Sequence, residues 1–141
     1  MQENEICEIV CNLDDMTGED LGFALEILLE NGALDAYTTA IQMKKNRPGY
    51  MLTCLCEAAD EEKFAALVLR HTTTLGVRTR LWKRHTMERT SQITRSELGQ
   101  YRIKTAEGFG ETKSKIEYED LAELAREHNL TIAEVRKKLS E

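Results

Sequence analysis

The fold is decided by residues 5–17, which read EICEIVCNLDDMT. Residues 5–13 alternate in polarity and are rich in strand-forming side chains, which predicts a β-strand. Residues 14–17 then predict a turn, with Thr17 as the N-cap of a helix. The leucines and alanine that follow recur at helical spacing: Leu21, Ala24, Leu25, Leu28 and Leu29.

The next 70 or so residues continue this pattern of predicted strands and helices. Asn31 and Gly32 are typical of a helix C-terminus, and strands are predicted over residues 34–43, 50–57 and 76–84. Asp60 is expected to cap a second helix that turns Phe64, Leu67 and Val68 inward. The order βαββαβ is that of an α+β, ferredoxin-like fold, with a four-stranded antiparallel sheet and two helices on one face. We expect this core domain to span residues 1–85.

The remaining residues, 86–141, predict a small appendage of strands and two helices, packed on the core or between subunits. One or two strands are expected over 86–105 with a turn at Gly99, followed by a loop over 106–117. A helix is predicted over 118–128, and Thr131 with Glu134 forms a capping box for a second helix. The mixed charge of these two helices disfavours a DNA-reading helix-turn-helix.

The charge distribution predicts an anion site on an acidic protein. The 141-residue chain has a formal net charge of −6. Residues 1–43 hold ten Asp and Glu and no Lys or Arg, whereas residues 78–104 hold eight Lys and Arg. An acidic surface disfavours nucleic acid as a partner, and a small polyphosphate fits a local basic pocket better. Neither a signal peptide nor a membrane-spanning run is present, so we expect a cytoplasmic protein with no membrane partner.

The four cysteines have spacings that do not match a zinc site. Cys7 and Cys11 share one face of the first strand, and Cys54 and Cys56 share one face of the third. We expect all four to be small buried hydrophobic residues, while metal binding or a disulfide remains the alternative.

Two acidic residues, Asp14 and Asp15, follow the first strand and are candidate ligands for Mg²⁺ or Mn²⁺. The alternative is a plain turn in which Asp15 or Thr17 only caps the helix.

Basic side chains in two other segments are candidate phosphate ligands. The KKNRPG turn at residues 44–49 and the TTTLGVRTR segment at 72–80 both place cations beside turn residues. The alternatives are a solvated basic turn and charge protection of an edge strand. In a ferredoxin-like sheet the fourth strand lies beside the first, which would bring Arg78 and Arg80 near Asp14 and Asp15. The candidate phosphate-binding residues are Lys44, Lys45, Asn46, Arg47, Thr74, Arg78, Arg80 and Lys104; no catalytic residue is identified.

Several motifs together resemble the C-terminal part of the LarC family of nickel insertion proteins. They are NLDDMTGE at 12–19, GALDA at 32–36, IQMKKNRPG at 41–49, TTLGVR at 73–78 and EYED at 117–120. Two positions depart from the family's pattern, because Ala40 and Ile116 stand where proline is common. We expect each departure to loosen a turn.

The resemblance implies a CTP-dependent nickel chelatase, or cyclometallase, classed as a lyase. Such an enzyme installs Ni²⁺, its substrate, into pyridinium-3,5-bisthiocarboxylic acid mononucleotide to make the nickel-pincer cofactor of lactate racemase. It implies CTP with Mn²⁺ or Mg²⁺ bound by this portion, and a partner in the family's N-terminal portion, which is absent from this sequence. The alternative function is a non-catalytic nucleotide-sensing or oligomerisation module.

A homo-oligomer, trimeric or hexameric, is expected on two grounds. The family resemblance points to one. The second ground is the sheet face away from the helices, where Ile6, Val10 and Leu55 would form an exposed apolar patch.

Overall fold

A computed structural model describes residues 2–141, with side chains described from Asn4 onward. The chain divides into two compact units, Glu3–Arg84 and His85–Glu141. Each unit has its own hydrophobic core.

The first unit is a four-stranded sheet with two helices, and the ferredoxin-like α+β fold is confirmed. The strands lie in the order β2-β3-β1-β4, and β3 pairs antiparallel with both β1 and β2. Because β1 and β3 are central, they determine the register of the whole sheet. The elements are β1 (Gln2–Leu13), α1 (Gly18–Glu30), β2 (Asp35–Met43), β3 (Arg47–Glu57), α2 (Glu61–His71) and β4 (Arg78–Thr86).

Alternate residues of the two central strands form the core of this unit. Ile9 and Leu52 are completely buried among apolar side chains from both helices, including Leu28, Phe64 and Val68. Burial of a side chain of this size contributes about 1.5–3 kcal/mol. The four cysteines are free thiols and lie in the same cluster, so the prediction of buried hydrophobic cysteines is confirmed.

The helix boundaries follow the predicted signals with one exception. The Thr17 hydroxyl accepts a hydrogen bond from the Asp20 backbone N–H at 3.2 Å, and Gly32 takes a positive φ of 99° after α1. Asp60 does precede α2, but its side chain makes no capping hydrogen bond. A short 3₁₀ turn over residues 58–60 leads into α2 instead.

The second unit is a three-stranded antiparallel sheet, β5-β6-β7, with two helices. Its core contains Tyr101, Leu121, Leu124 and Val135. The predicted capping box is present, since Thr131 and Glu134 each bond the other's backbone N–H. The elements are β5 (Glu88–Ser96), β6 (Gly99–Gly108), β7 (Glu111–Ile116), α3 (Tyr118–His128) and α4 (Ile132–Leu139).

The prediction of a loop over residues 106–117 was wrong. β6 continues to Gly108, and β7 pairs with it from Glu111 to Ile116. Phe109 and Gly110 both have positive φ and make the tight connection. β7 is polar and mostly exposed, so it carries no apolar alternation and is held by backbone hydrogen bonds.

Three turn predictions also need correction. β3 begins at Arg47, so the turn before it shortens to the 3₁₀ segment Lys44–Asn46. Ala40 lies within β2 opposite Tyr50, and Ile116 ends β7 opposite Ile103. Both departures from the family pattern therefore occupy strands, where proline is tolerated at edges, and neither loosens a turn. Among residues 2–141, no helix is long and apolar enough to cross a membrane.

The buried thiols predict a loss of stability at alkaline pH. Burial, with neighbouring thiols, raises the pKa of Cys54 to about 11 and that of Cys56 to about 12. In the unfolded chain these groups ionise near pH 8.5, so above this pH the unfolded state binds fewer protons. The free energy of unfolding should therefore fall as pH rises from 9 to 11, by about 1.4 kcal/mol per pH unit for each group.

Urea denaturation at several pH values between 8 and 11 measures this dependence. A Cys54→Ala/Cys56→Ala double variant should be less stable but should show a shallower decline. Equal slopes for the two proteins would contradict the assignment of the decline to these thiols.

Candidate functional site

Three segments meet at one edge of the core sheet. They are the NLDD segment after β1, the turn between β2 and β3, and the threonine-rich connection from α2 to β4. Asp14 Oδ2 lies 3.3 Å from Arg47 Nη1, and Asp15 Oδ1 accepts a hydrogen bond from the Thr73 hydroxyl. At the end of β1, Asn12 Oδ1 accepts a hydrogen bond of 3.1 Å from Arg78 Nη2. The basic turn and the segment that leads into β4 are thus both joined to the NLDD segment by side-chain contacts.

Gly49 allows the basic turn to approach the NLDD segment. A Cβ atom at this position would lie 2.5 Å from the Leu13 carbonyl oxygen and 2.6 Å from Met43 Sδ. Leu13 pairs with Tyr50 in the register of β1 and β3, so this approach is part of the strand pairing itself. Only glycine fits here without displacing backbone.

The basic turn is held in an unusual backbone conformation. Lys45 and Asn46 both have φ of 59°, and the Asn46 Oδ1 atom accepts a hydrogen bond of 2.7 Å from Gln42 Nε2. The residues of this turn are exposed. Two lysines therefore stand in solvent beside Arg47, whose guanidinium is held by Asp14.

The threonine-rich connection is ordered by its own hydroxyl groups. Thr72 Oγ1 donates to the Val68 carbonyl at 2.7 Å, which ends α2, and also accepts from the Thr74 backbone N–H. Thr74 Oγ1 donates to the Gly76 carbonyl at 2.8 Å. This bond positions the start of β4, where Arg78 lies, and leaves the oxygen of Thr74 able to accept another hydrogen bond.

Arg80 lies on the same face of β4 as Arg78 but points over a different part of the sheet. Its guanidinium lies 4.9 Å from the centroid of the Trp82 ring. Arg78 and Arg80 both line a groove of about 450 Å³ on the sheet face away from the helices. The structure thus places Arg78 at both the loop edge and the groove, and Arg80 at the groove.

This face is not the exposed apolar patch that the sequence predicted. Ile6 and Val10 are only 8% and 6% exposed, and Leu55 is half-buried. Val10 lies opposite Thr53 in the two central strands, and the larger Tyr37 follows in the same row on β2. Long side chains from the outer strands flank the centre of the face, which removes this ground for self-association.

Lys104 lies in the second unit, on β6, apart from the contacts that join the three segments. Its Nζ atom forms an ion pair of 2.8 Å with Glu117 Oε1. This pairing lowers the pKa of the Glu117 carboxyl. Lys104 was selected by its position in a basic stretch of sequence, and the structure gives it an acidic partner within its own unit.

The acidic pair suits a hard divalent cation only in part. Asp14 and Asp15 offer oxygen ligands, and no cluster of three or more His, Cys, Asp and Glu side chains suited to a metal ion occurs among residues 2–141. Mg²⁺ and Mn²⁺ are commonly bound by one or two carboxylates together with substrate phosphates and water. The two aspartates fit that kind of shared site. The thiols do not contribute, because burial raises the pKa of Cys11 and keeps it protonated in the core.

Comparison with known proteins identifies a consistent set of relatives. A family model described as nickel insertion protein matches residues 1–136. The chain is 40% identical over 134 residues to a pyridinium-3,5-bisthiocarboxylic acid mononucleotide nickel insertion protein of Acetivibrio thermocellus, covering 94% of this chain and 33% of the relative. A protein of the same name from Geobacillus kaustophilus is 38% identical over 141 residues, covering 99% of this chain and 34% of the relative. The chain thus spans about a third of the length of these relatives.

A solved structure matches nearly the whole chain. It is the apo form of LarC2, the C-terminal domain of a cyclometallase involved in the synthesis of the NPN cofactor of lactate racemase. The TM-score is 0.93 at 36% sequence identity, with 98% of this chain and 96% of that chain covered.

The close approach at Gly49 predicts a large effect of adding one methyl group. Gly49→Ala should lower the free energy of unfolding by about 1–3 kcal/mol, because the Leu13 carbonyl is backbone and cannot move aside. Gly22→Ala, within α1 and with nothing within 4 Å of the added atom, should leave stability unchanged or raise it slightly. Urea denaturation of both variants makes the comparison. Equal stability of the two would show that β3 does not require glycine at this point.

Proposed function

The chain belongs to the nickel insertion protein family, and on that basis we propose that it binds CTP with Mn²⁺ or Mg²⁺ for a nickel insertase. The enzyme would install nickel into pyridinium-3,5-bisthiocarboxylic acid mononucleotide and so make the nickel-pincer cofactor of lactate racemase. Because the chain spans about a third of its curated relatives, we propose that it acts together with the family's N-terminal portion. We further propose a cytoplasmic location and a trimeric or hexameric assembly, both from the resemblance.

One observation supports this proposal above others. Three segments that are far apart in sequence, and that match the family's motifs, are joined by side-chain contacts at one sheet edge. Two carboxylates, four exposed cations and a buried glycine backbone lie within this cluster. A metal–triphosphate needs this combination, since the carboxylates hold the metal and the cations hold the phosphates.

The contact between Asp14 and Arg47 gives each residue a charged partner that a ligand can replace. The two charges neutralise each other at 3.3 Å. A metal–triphosphate offers the carboxylate a cation and the guanidinium an anion, so it can replace both partners at once. A bound divalent ion would neutralise part of the negative charge of the phosphates. The exposed ammonium groups of Lys44 and Lys45 would contribute further positive charge.

The remaining candidate residues divide by position. Thr74 and Asn46 offer polar groups beside the cations, and Arg78 stands between the loops and the groove. Arg80 belongs to the groove, and Lys104 belongs to the other unit. We therefore propose Lys44, Lys45, Asn46, Arg47, Thr74 and Arg78 as phosphate ligands, with Asp14 and Asp15 at the metal.

A nucleotide-sensing or oligomerisation module is the second candidate. It is favoured by the chemistry of the loop edge, whose named side chains are binding groups and include no activated nucleophile. The two functions differ in whether CTP is consumed, and product analysis after incubation with Mn²⁺, nickel and the pincer precursor separates them. CDP, CMP or pyrophosphate release would support the insertase.

Arg78 provides the sharpest test of the nucleotide site. A charge-assisted hydrogen bond contributes about 1.5–3 kcal/mol, so Arg78→Ala should weaken CTP binding in the presence of Mn²⁺ about ten- to a hundredfold. Isothermal titration calorimetry measures this change.

Arg84→Ala is the matched control, because Arg84 lies on the same face of β4 but bonds Asn4 at 3.1 Å, away from the loop edge. Its affinity for CTP should stay within about threefold of wild type, which is below 0.7 kcal/mol. Similar losses in both variants would mean that general charge, and not a site at Arg78, attracts the nucleotide.

A further inference from the structure

The groove on the sheet face away from the helices has a defined floor and two walls. Val10 and Thr53 lie opposite each other in β1 and β3 and are 6% and 1% exposed. Tyr37 lies opposite Thr53 on β2 and rises on one side, while Arg80 of β4 rises on the other. The two small side chains between two large ones form the groove across the sheet.

The charges in this groove are arranged in a specific order. Glu8 lies on the same face of β1 as Val10, and the guanidinium groups of Arg78 and Arg80 line the β4 side. Arg78 is oriented by Asn12 Oδ1 at 3.1 Å and by Met51 Sδ at 3.7 Å. Arg80 is oriented by the ring of Trp82. The groove therefore has a cationic wall on β4, an acidic group on β1 and an aromatic wall on β2.

This order fits a ligand that carries both signs of charge on an aromatic ring. Guanidinium groups bind carboxylates, thiocarboxylates and phosphates through paired N–H donors. A carboxylate and a tyrosine ring can together receive a ring that bears a fixed positive charge. A triphosphate alone fits less well, because it offers no positive charge to face Glu8.

The dimensions agree with a single mononucleotide. From β2 to β4 the sheet crosses three strand spacings, about 14 Å. The groove volume of about 450 Å³ lies within the range of about 300–1,000 Å³ for small-molecule sites.

We infer that this groove binds the pyridinium mononucleotide, the substrate that is to receive nickel. This inference rests on the proposed function. The positive charge of the ring would face Glu8, and the ring would lie over Val10 and Thr53 beside Tyr37. The two thiocarboxylate groups at ring positions 3 and 5, on the side away from the nitrogen, would face Arg78 and Arg80. CTP would occupy the loop edge, so Arg78 would stand between the two ligands.

The test uses the mononucleotide of pyridinium-3,5-dicarboxylic acid, in which oxygen replaces sulfur, as the probe. Calorimetric titration of the 141-residue chain should show binding, and Arg80→Ala should weaken it at least tenfold. Glu8→Gln, which removes the charge and keeps the shape, should weaken it about three- to tenfold. Both variants should bind CTP with Mn²⁺ within about threefold of wild type. Trp82 is the only tryptophan in the chain, so the probe should also change its fluorescence.

Two control variants separate the groove from the loop edge. Lys44→Ala should weaken CTP binding and leave probe binding unchanged, and Arg84→Ala should leave both unchanged. Thermal denaturation of each variant checks that the fold is intact. The inference is overturned if the chain does not bind the probe, if Arg80→Ala and Glu8→Gln bind it as tightly as wild type, or if CTP displaces it one for one. If the wild-type chain binds the probe but does not bind CTP with Mn²⁺, that result would instead contradict the proposed nucleotide site.

Discussion

The pairing of the two central strands, β1 and β3, is the constraint on which both candidate sites depend. Its register places Cys7 opposite Cys56 and Ile9 opposite Cys54 on the face that receives the helices. The same register places Val10 opposite Thr53 on the other face, where they form the floor of the groove. At its end, Leu13 lies opposite Tyr50, so the NLDD segment and the basic turn are neighbours. A shift by one residue would exchange the two faces and separate these functional groups.

In the arrangement that we propose, nucleotide and substrate bind next to each other, because the sheet has two distinct surfaces side by side. The loop edge offers carboxylates and exposed cations, which suit a metal–triphosphate. The groove offers a fixed arrangement of one carboxylate, two guanidinium groups and an aromatic ring. Arg78 belongs to both, since it bonds Asn12 at the loop edge and lines the groove.

The element order of the core could be predicted because local signals agree with the tertiary fold. Thr17 caps α1 and Gly32 follows its end, while Phe64 and Val68 turn inward. The start of β3 was misjudged because Pro48 and Gly49 are typical of turns, and here a strand uses the glycine for close approach. β7 was missed because a polar strand on an exposed sheet has no periodic apolar signal.

The candidate site could be predicted only as three separate segments. The strand order of a ferredoxin-like sheet predicts that the NLDD segment and the start of β4 lie close together, but it does not place the basic turn beside them. The partners within the site, such as Asp15 with Thr73, join residues 58 apart and depend on side-chain geometry. Lys104 is predicted from its charge alone, and in the structure it pairs with Glu117 within its own unit. The groove was missed since its floor and walls come from four different strands.

The joint metal–nucleotide site is tested most directly by locating a bound paramagnetic ion relative to the backbone. Adding Mn²⁺ with CTP to the isotopically labelled chain broadens the NMR signals of nearby amides, with a steep dependence on distance. A joint site at the loop edge should produce selective loss of signals in residues 12–17, 44–49 and 72–78, with Mn²⁺ alone producing much weaker effects. Broadening confined to residues outside these three segments would contradict a joint metal–nucleotide site at this edge of the sheet.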